Sequence, residues 1–181
     1  MTVSEVIEKR RTIRKFRQLP IEESVLRELV RLASLSASAA NLQPLKYKIS
    51  ADERLFPTLK WAGYLKDGAP REGERPTAYI AVLCDRKINK NPEADAGAAI
   101  TTLMLAAAER GIGACWIGSV DRAAAKEIMG IPKELDLLYM IALGYPAQEN
   151  KVCKAHGDIK YFEDGKGGIT VPKRPLSEIL L

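Results

Sequence analysis

Arginine is concentrated near the start of the 181-residue chain, in the run Arg10-Arg11-Thr12-Ile13-Arg14-Lys15-Phe16. A guanidinium group presents a planar fork of N–H donors that matches the oxygens of a phosphate, and the hydroxyl of Thr12 adds a further polar group. Cations also gather at the C-terminal ends of helices, where they complement the helix dipole. The run therefore predicts either a phosphate site or a solvated helix end, and taken alone it favours the helix end.

A second candidate is the uncharged stretch Ser36-Ala37-Ser38-Ala39-Ala40-Asn41-Leu42-Gln43-Pro44. Its small side chains allow a flat ligand or another backbone to approach closely. The amides of Asn41 and Gln43 both donate and accept hydrogen bonds, which suits the mixed polar edge of a heterocycle. Asparagine also tolerates the left-handed backbone that ends many helices, so the stretch is equally typical of a helix C-terminal loop.

Other catalytic patterns are absent from the sequence. The glycines Gly111, Gly113 and Gly118 follow a helical pattern and enter a strand, whereas a dinucleotide fingerprint follows a strand and opens a helix. The single histidine, His156, lies in a polar tail, and Cys115 lies in an apolar strand pattern where burial keeps a thiol inert. We expect no catalytic side chain and no metal site, so a cofactor would have to bring the reactive group.

The composition predicts one sizeable hydrophobic core and a single domain over residues 1–181. Lysine and arginine total 28 and aspartate and glutamate 23, which gives a formal net charge of +5. This excess suits an anionic ligand but falls short of that of a protein that coats nucleic acid.

The cysteines and the apolar runs bear on the compartment. Cys84, Cys115 and Cys153 are widely spaced and odd in number, which predicts neither a disulfide framework nor a structural zinc site. No apolar run reaches the length of a membrane span or a signal-peptide core. We therefore expect a cytoplasmic protein without a membrane partner.

Helical and strand periods alternate along the chain. Helices are predicted from Thr2 or Ser4 to the arginine run, from Glu22-Glu23 through Ala33, over residues 94–110, from Asp121 through Met129, and as a last turn at 176–180. Strands are predicted at Tyr47–Ala51, Ala78–Cys84, Ala114–Ile117 and Leu137–Leu143, the last three of them buried. Residues 52–76 are expected to be irregular with one helical turn, and the tail from Asn150 to Ile169 to be polar and glycine-rich.

With these motifs in order, the chain resembles the FMN-dependent nitroreductase family along nearly its whole length. Residues 10–16 match the family's R-R-S-x-R-x-F opening, and residues 38–44 match its S-x-x-N-x-Q-P loop. The resemblance continues with Asp95-Ala96-Gly97 at the start of a buried helix, with residues 111–118 after it, and with Leu143-Gly144-Tyr145-Pro146. It implies an α+β fold with a mixed, largely antiparallel central sheet flanked by helices, assembled as a homodimer with two interfacial FMN sites.

The resemblance also implies roles for particular residues. The FMN phosphate would be held by Arg10, Arg11 and Arg14 together with a cation from the tail, Lys173 or Arg174. Thr12, where serine is common in the family, would touch the ribityl chain or the ring edge. The loop residues Ser38, Asn41 and Gln43 would line the flavin site from the partner subunit. Backbone donors near Ile117 and Gly118 would approach the reactive N5 edge.

The resemblance implies that the protein is an oxidoreductase with a ping-pong mechanism. NADH or NADPH would reduce FMN and leave, and an electron-poor aromatic, a quinone or a similar small acceptor would take the electrons. The sequence departs from the family at Ala37, where proline is frequent, at Leu45, where tryptophan is common, and over residues 61–75. Two alternatives stay open: a flavoenzyme of the same fold that performs reductive dehalogenation or flavin fragmentation, and a non-enzymatic basic module that binds nucleic acid or an acidic partner.

Overall fold

The structure is a computed structural model and describes residues 1–61, 69–165 and 167–181. Its α-helices are α1 (Val3–Lys9), α2 (Glu23–Ser34), α3 (Glu93–Glu109), α4 (Arg122–Met129) and α5 (Leu176–Ile179). Its strands are β1 (Phe16–Arg17), β2 (Leu45–Ser50), β3 (Ala78–Cys84), β4 (Gly113–Ile117), β5 (Asp136–Pro146), β6 (Lys151–Lys154), β7 (Phe162–Glu163) and β8 (Ile169–Lys173). Short 3-10 helices occupy Ala39–Asn41 and Glu53–Thr58.

The main sheet is assembled on β5, which pairs with β1, β3 and β4, while β2 pairs with β3. Each of these strand pairs is antiparallel. Parallel contacts are confined to the bridge between Thr12 and Ala114 and to the pairing of β6 with β8 in a small second sheet. The predicted α+β fold, with a largely antiparallel sheet flanked by helices, is confirmed.

Strand β3 separates the two hydrophobic cores. All seven of its residues are buried, and successive side chains of a strand point to opposite faces. Ala78, Ile80 and Val82 pack with α2 and α3, whereas Tyr79 and Leu83 pack with α4 and the 3-10 helix at 53–58. The continuous apolar run therefore forms the central, doubly covered strand that the sequence predicts.

Helix α1 begins at Thr2 through a capping box and leads directly into the arginine run. The hydroxyl of Thr2 accepts from the N–H of Glu5 at 3.3 Å, and the carboxylate of Glu5 accepts from the N–H of Thr2 at 2.7 Å. The helix ends at Lys9, and Arg10 is its C-cap. Of the two predicted caps, Thr2 is the one that the structure uses.

Three expectations about the strands are wrong in detail. Strand β5 continues through Gly144 to Pro146 rather than ending at Leu143. Trp116 is 38% exposed, although Ala114 on the same face of β4 is buried in the core with α2 and α3, and Cys115 and Ile117 are buried in the other core. The polar tail contains the strands β6, β7 and β8, which pair as a separate three-stranded sheet.

The segment at 61–75 is only partly described, since residues 62–68 lie outside the described residues. The ring of Trp61 packs on Phe56 with centroids 5.6 Å apart, and the guanidinium carbon of Arg75 lies 4.4 Å from the centroid of the Phe56 ring. The helical turn expected between 52 and 76 is the 3-10 helix at Glu53–Thr58. Among the described residues, no helix combines the length and apolar character needed to cross a membrane.

Two glycines let the arginine run lie against the sheet. Gly113 of β4 and Gly144 of β5 are paired in register. A Cβ atom on Gly113 would lie 2.8 Å from Ile13, and one on Gly144 would lie 2.8 Å from the ring of Phe16. Because real Cβ atoms do not approach neighbours this closely, both positions need glycine for contact rather than for a special backbone angle.

Replacement of Gly144 by alanine is therefore expected to lower the free energy of unfolding by about 1–3 kcal/mol through overpacking. The measurement is chemical denaturation. Gly97→Ala, inside helix α3, is the matched control, because its new methyl group would lie 4.0 Å from the ring of Trp116, an ordinary van der Waals distance. That variant should be neutral or more stable by up to about 1 kcal/mol. Equal stability of the two variants would contradict the packing argument.

Candidate functional site

Arg11 folds back over the end of α1. One of its terminal nitrogens donates to the carbonyl of Glu8 at 2.6 Å and the other to the carbonyl of Arg10 at 2.5 Å. Carbonyls in the last turn of a helix have no partner within the helix, so Arg11 acts as its cap. For this residue the helix-end interpretation is correct. Its Nε–H is nevertheless buried, and no described residue accepts a hydrogen bond from it.

Arg10 supplies a cation that makes no ion pair with the described residues. Its side chain is partly buried, and burial lowers its pKa; burial and the charge of Arg10 together lower the pKa of Arg11. Within the described residues the guanidinium of Arg10 makes no hydrogen bond. Both arginines line a cavity of about 210 Å³ that is also bordered by Gly113 and Asn150. A partly desolvated cation pair beside a cavity has the chemistry to bind an anion.

The next residues of the run are held through their backbone. The N–H of Ile13 donates to the carbonyl of Ala114 at 3.0 Å, which ties the run to the edge of β4. The Thr12 carbonyl, and not its hydroxyl, is the group engaged by the rest of the chain. The guanidinium carbon of Arg14 lies 5.4 Å from the centroid of the Tyr161 ring, and Arg14 is not part of the lining around Arg10 and Arg11.

Two side chains that sequence reasoning missed hold this backbone in place. The Oε1 atom of Gln148 accepts from the N–H groups of Arg14 and Lys15, each at 2.8 Å. The Nδ2 group of Asn150 donates to the carbonyl of Thr12 at 2.7 Å. Both amides lie far along the chain in a stretch without helical or strand period, so no local signal could have identified them.

The predicted small-residue loop is fastened to the start of α3 by Asp95. The hydroxyl of Ser38 donates to the Asp95 carboxylate at 2.6 Å and accepts from the N–H of Gln43 at 2.9 Å. The N–H of Ala39 donates to the same carboxylate at 3.1 Å. Asp95 is only 4% exposed and lies in the first turn of α3, where the helix dipole favours a negative charge. Ser38 therefore shapes the loop.

The backbone of this loop is strained. Ala40, Asn41 and Gln43 have φ angles of 47°, 56° and 50°, a region that non-glycine residues rarely occupy. Asn41 and Gln43 are exposed, and the side-chain amide of Gln43 donates only to the Asn41 carbonyl, at 3.3 Å. The loop thus presents the two predicted amides to solvent in a fixed backbone shape.

Within one chain the loop and the arginines lie at opposite ends of α3. The loop is attached at Asp95, whereas the arginine cavity is bordered by Ala108 and Gly111. Ala108 comes thirteen residues after Asp95 in the helix, which corresponds to about 20 Å at about 1.5 Å per residue. Ser38, Asn41 and Gln43 do not border the cavity that contains Arg10 and Arg11. A single chain therefore does not bring the loop to the arginines.

Ile117 and Gly118 lie at the far end of β4 from the arginine cavity. Ile117 is buried and Gly118 is exposed, and the Gly118 carbonyl accepts from the guanidinium of Arg122 at 3.0 Å. Beside it, Trp116 meets Tyr139 edge-on with centroids 5.1 Å apart. Strand β4 connects Gly113 at the cavity to Gly118, a distance of about 16 Å at 3.3 Å per residue. The cavity and the exposed glycine thus lie at the two ends of one edge strand.

The tail cations stay away from the cavity within the chain. Lys173 ends β8 and is exposed, and Arg174 makes an exposed ion pair with Glu178 at 3.3 Å. Neither residue lines the cavity that contains Arg10 and Arg11. Their predicted contact with the cofactor phosphate therefore stays a prediction.

A sequence model of the nitroreductase family matches residues 7–75 and 73–145, which together span most of the α+β fold. The chain belongs to the nitroreductase family, a family of oxidoreductases. The resemblance inferred from the arginine run, the Ser38 loop and the glycines of β4 is thereby confirmed at the level of the family.

Two proteins that are similar to this chain in sequence carry different names. A protein of Archaeoglobus fulgidus, provisionally named NADH dehydrogenase/NAD(P)H nitroreductase, is 29% identical over 154 residues, which covers 81% of this chain and 86% of the relative. A protein of Rhodospirillum rubrum, named 5,6-dimethylbenzimidazole synthase, is 26% identical over 172 residues and covers 79% and 81%. The similarity therefore extends along most of each chain in both cases.

Among solved structures, a Desulfovibrio desulfuricans protein in complex with FMN has a TM-score of 0.73 with this chain. The likeness covers 100% of this chain and 96% of the other at 23% sequence identity. At this level of identity the likeness supports the fold alone, and that fold is shared along the whole length.

The three cysteines are free thiols in different surroundings. Burial raises the pKa of Cys115 from its ordinary value of 9.0 to about 11, and burial also raises the pKa of Cys84. Cys153 is partly exposed, as is expected for the small tail sheet. The expected inertness of Cys115 agrees with its burial and its raised pKa.

We expect thiol reagents to modify Cys153 first in the native protein, and Cys84 and Cys115 only on unfolding.

The raised pKa of Cys115 also predicts that the stability of the protein depends on pH. Between pH 9 and about 11 the folded thiol keeps its proton while the unfolded thiol loses it, so stability falls as pH rises through this window, by at most about 1.4 kcal/mol per pH unit. Denaturation of Cys115→Ala should show a shallower alkaline loss than Cys153→Ala. Identical slopes would contradict the assignment.

Proposed function

We propose that this protein is an FMN-dependent oxidoreductase that passes electrons from NADH or NADPH, by way of bound FMN, to nitroaromatic, quinone or similar small acceptors in ping-pong order. The observation that carries the proposal is the pair of arginines at one cavity. Among the described residues the guanidinium of Arg10 makes no hydrogen bond or ion pair, and Arg11 has a buried Nε–H without an acceptor. Glu149 also borders the cavity, but its carboxylate pairs with Lys151 at 3.8 Å. The chain's own residues leave a place for an anion there.

A phosphate monoester fits this donor set. Arginine stays charged at all relevant pH values even where burial lowers its pKa, and phosphate oxygens accept charge-assisted hydrogen bonds from guanidinium groups. Arg11 is already oriented by its bonds to the end of α1, so it loses little further freedom on binding. Arg10 and Arg11 would hold the phosphate of FMN, and Arg14, Lys173 and Arg174 are the proposed additional cations.

The other end of the cofactor would lie toward Gly118. This residue has no side chain, is exposed and has its carbonyl fixed by Arg122, so its backbone can approach a flat ring. Thr12 and Ile117 would contact the cofactor between these ends. FMN, when bound, would supply hydride acceptance from NADH or NADPH and electron transfer to the acceptor. The FMN in the Desulfovibrio structure and the name of the Archaeoglobus relative support this choice of cofactor and donor.

The distance between the loop and the arginines supports a homodimer in which each site takes residues from both subunits. Ser38, Asn41 and Gln43 lie about 20 Å from the cavity along α3 in their own chain, so a second copy would have to supply them. Apolar side chains are also exposed near α1 and α2, with Val3 at 73% and Leu35 at 70%. Burial of these side chains against a second copy would be favourable.

The free cysteines support the proposed compartment. All three are free thiols, and a reducing cytoplasm is the proposed location because it keeps them so. The proposed single domain over residues 1–181 agrees with two hydrophobic cores, one with α2 and α3 and the other with α4, that lie on either side of one main sheet.

A second candidate keeps the fold and changes the chemistry. The Rhodospirillum relative bears the name of a synthase, so similarity of this degree accompanies different named activities. Reductive dehalogenation or flavin fragmentation on the same cofactor site is therefore the alternative, and residues 61–75 are where a different pocket would arise. A basic nucleic-acid module has less support, because Arg27, Arg31 and Arg54 are each paired with a carboxylate at 2.6 Å.

The test of the cofactor is the visible spectrum of the purified protein and its titration with FMN. We expect flavin absorbance that bleaches on anaerobic addition of NADH or NADPH. Arg10→Ala should weaken FMN binding tenfold or more, because a charge-assisted hydrogen bond contributes roughly 1.5–3 kcal/mol. Arg27→Ala is the control, since Arg27 is exposed and paired with Glu23. No uptake of FMN by the parent protein would refute the proposal, and unchanged affinity in Arg10→Ala would refute the assigned grip.

The test of the shared site is complementation between two damaged chains. One chain carries Arg10→Ala. The other carries Asn41→Gly and Gln43→Gly, which remove the amides without adding strain at φ angles of 56° and 50°. Each variant alone should bind FMN weakly, whereas subunits mixed after reversible dissociation should regain about a quarter of the sites, because only mixed dimers contain one intact site. No recovery, with mixed dimers demonstrated by mass spectrometry, would contradict the shared site.

A further inference from the structure

Gln148 and Asn150 form a connected pair of side-chain amides beside the arginine run. The Nε2 group of Gln148 donates to Oδ1 of Asn150 at 2.9 Å. Oδ1 of Asn150 also accepts from the N–H of Ile169, the first residue of β8, at 2.8 Å. Together with the bonds to Thr12, Arg14 and Lys15, the pair joins two segments that lie far apart in the sequence.

The orientation of both amides is dictated by the backbone. Gln148 must present its oxygen to two N–H groups, those of Arg14 and Lys15. Asn150 must present its nitrogen to the carbonyl of Thr12 and its oxygen to the N–H of Ile169. With these orientations the nitrogen of Gln148 faces the oxygen of Asn150, as their hydrogen bond requires. All of these hydrogen bonds are compatible with one orientation of each amide. If either amide group rotated by half a turn, it would lose its bonds to the backbone and its bond to the other amide.

The pair is therefore a bridge between the arginine run and the tail. On one side it holds the backbone from Thr12 to Lys15, and on the other it holds the start of β8, the strand that ends at Lys173. Close backbone contact supports the same bridge, because a Cβ atom on Gly168 would overlap the carbonyl oxygen of Glu149. Both amide side chains are only partly buried, so their bonds stabilise this arrangement without belonging to either hydrophobic core.

We propose that Gln148 and Asn150 are positioning residues that couple the arginine run to β8, so that an anion bound at Arg10 and Arg11 also stabilises the strand carrying Lys173 and, beyond it, Arg174. The ligand part of this inference rests on the proposed function, whereas the coupling itself does not. Linkage is reciprocal: if the bound phosphate orders β8, then a well-ordered β8 strengthens phosphate binding by the same factor.

Backbone hydrogen exchange, followed by NMR in the ligand-free protein, tests the coupling crosswise. In Asn150→Ala the amide of Ile169 loses its acceptor, and we expect the amides of Arg14 and Lys15 to exchange roughly fivefold to tenfold faster too, although their acceptor is Gln148. In Gln148→Ala the amide of Ile169 should become faster in turn. Asn89→Ala is the matched control, because its side chain accepts one local bond, from the N–H of Asn91, in the connection between β3 and α3.

Gln148→Glu separates positioning from coupling. Its carboxylate cannot donate to Asn150, but it accepts stronger, charge-assisted hydrogen bonds from Arg14 and Lys15 that offset the lost coupling. These two amides should therefore stay slow while exchange at Ile169 becomes faster. If each alanine substitution accelerates only the amides bonded to the residue replaced, the two amides act independently and the coupling proposal is overturned.

FMN titration then measures the consequence for the ligand. In the parent protein, FMN should slow exchange in both segments. In Asn150→Ala, FMN should bind about tenfold more weakly and should slow only the segment around Arg14. If the parent protein takes up no FMN, the proposed function fails, yet the crosswise exchange in the ligand-free protein still decides the coupling. If FMN slows exchange at Ile169 equally in Asn150→Ala, the linkage to β8 is refuted.

Discussion

The arrangement of the site depends on the close contact between the arginine run and a pair of glycines in the sheet. Gly113 and Gly144 face each other across β4 and β5, and Ile13 and Phe16 occupy the space where two methyl groups would otherwise stand. This contact fixes the run against the end of the sheet where α3 also ends. Arg10 and Arg11 consequently share a cavity with that helix end, and their placement follows from packing rather than from attraction between charges.

The same residues support two interpretations that looked exclusive at the level of the sequence. Arg11 caps the end of α1 with its terminal nitrogens and still leaves its Nε–H without an acceptor. Capping thus orients the guanidinium that a phosphate would meet. The Ser38 loop is divided in the same way. Ser38 is hydrogen-bonded to Asp95 inside the chain, whereas Asn41 and Gln43 are exposed and their side-chain amides can contact another molecule. In Arg11, different atoms of one side chain have the structural role and the proposed binding role. In the loop, different residues have them.

Much of the fold could be predicted because periodicity is local. The apolar run of β3, the apolar surface of α3 and the cap at Asp121 each follow from neighbouring residues. What could not be predicted depends on partners distant in the chain. The exposure of Trp116, the bond of Ser38 to Asp95 and the bridge from Thr12 through Asn150 to Ile169 leave no periodic trace. Family motifs located the candidate site but not the hydrogen bonds that hold it.

The loop at residues 38–43 has a consequence for how the protein could change over time. Three non-glycine residues there keep a left-handed backbone, each at a cost of the order of 1 kcal/mol or more. The loop that carries them is attached to Asp95 through Ser38 and the N–H of Ala39. Selection for stability alone would favour glycine at these positions. A chain that keeps alanine, asparagine and glutamine instead has a reserve of stability that evolution or engineering could recover locally, without altering either hydrophobic core.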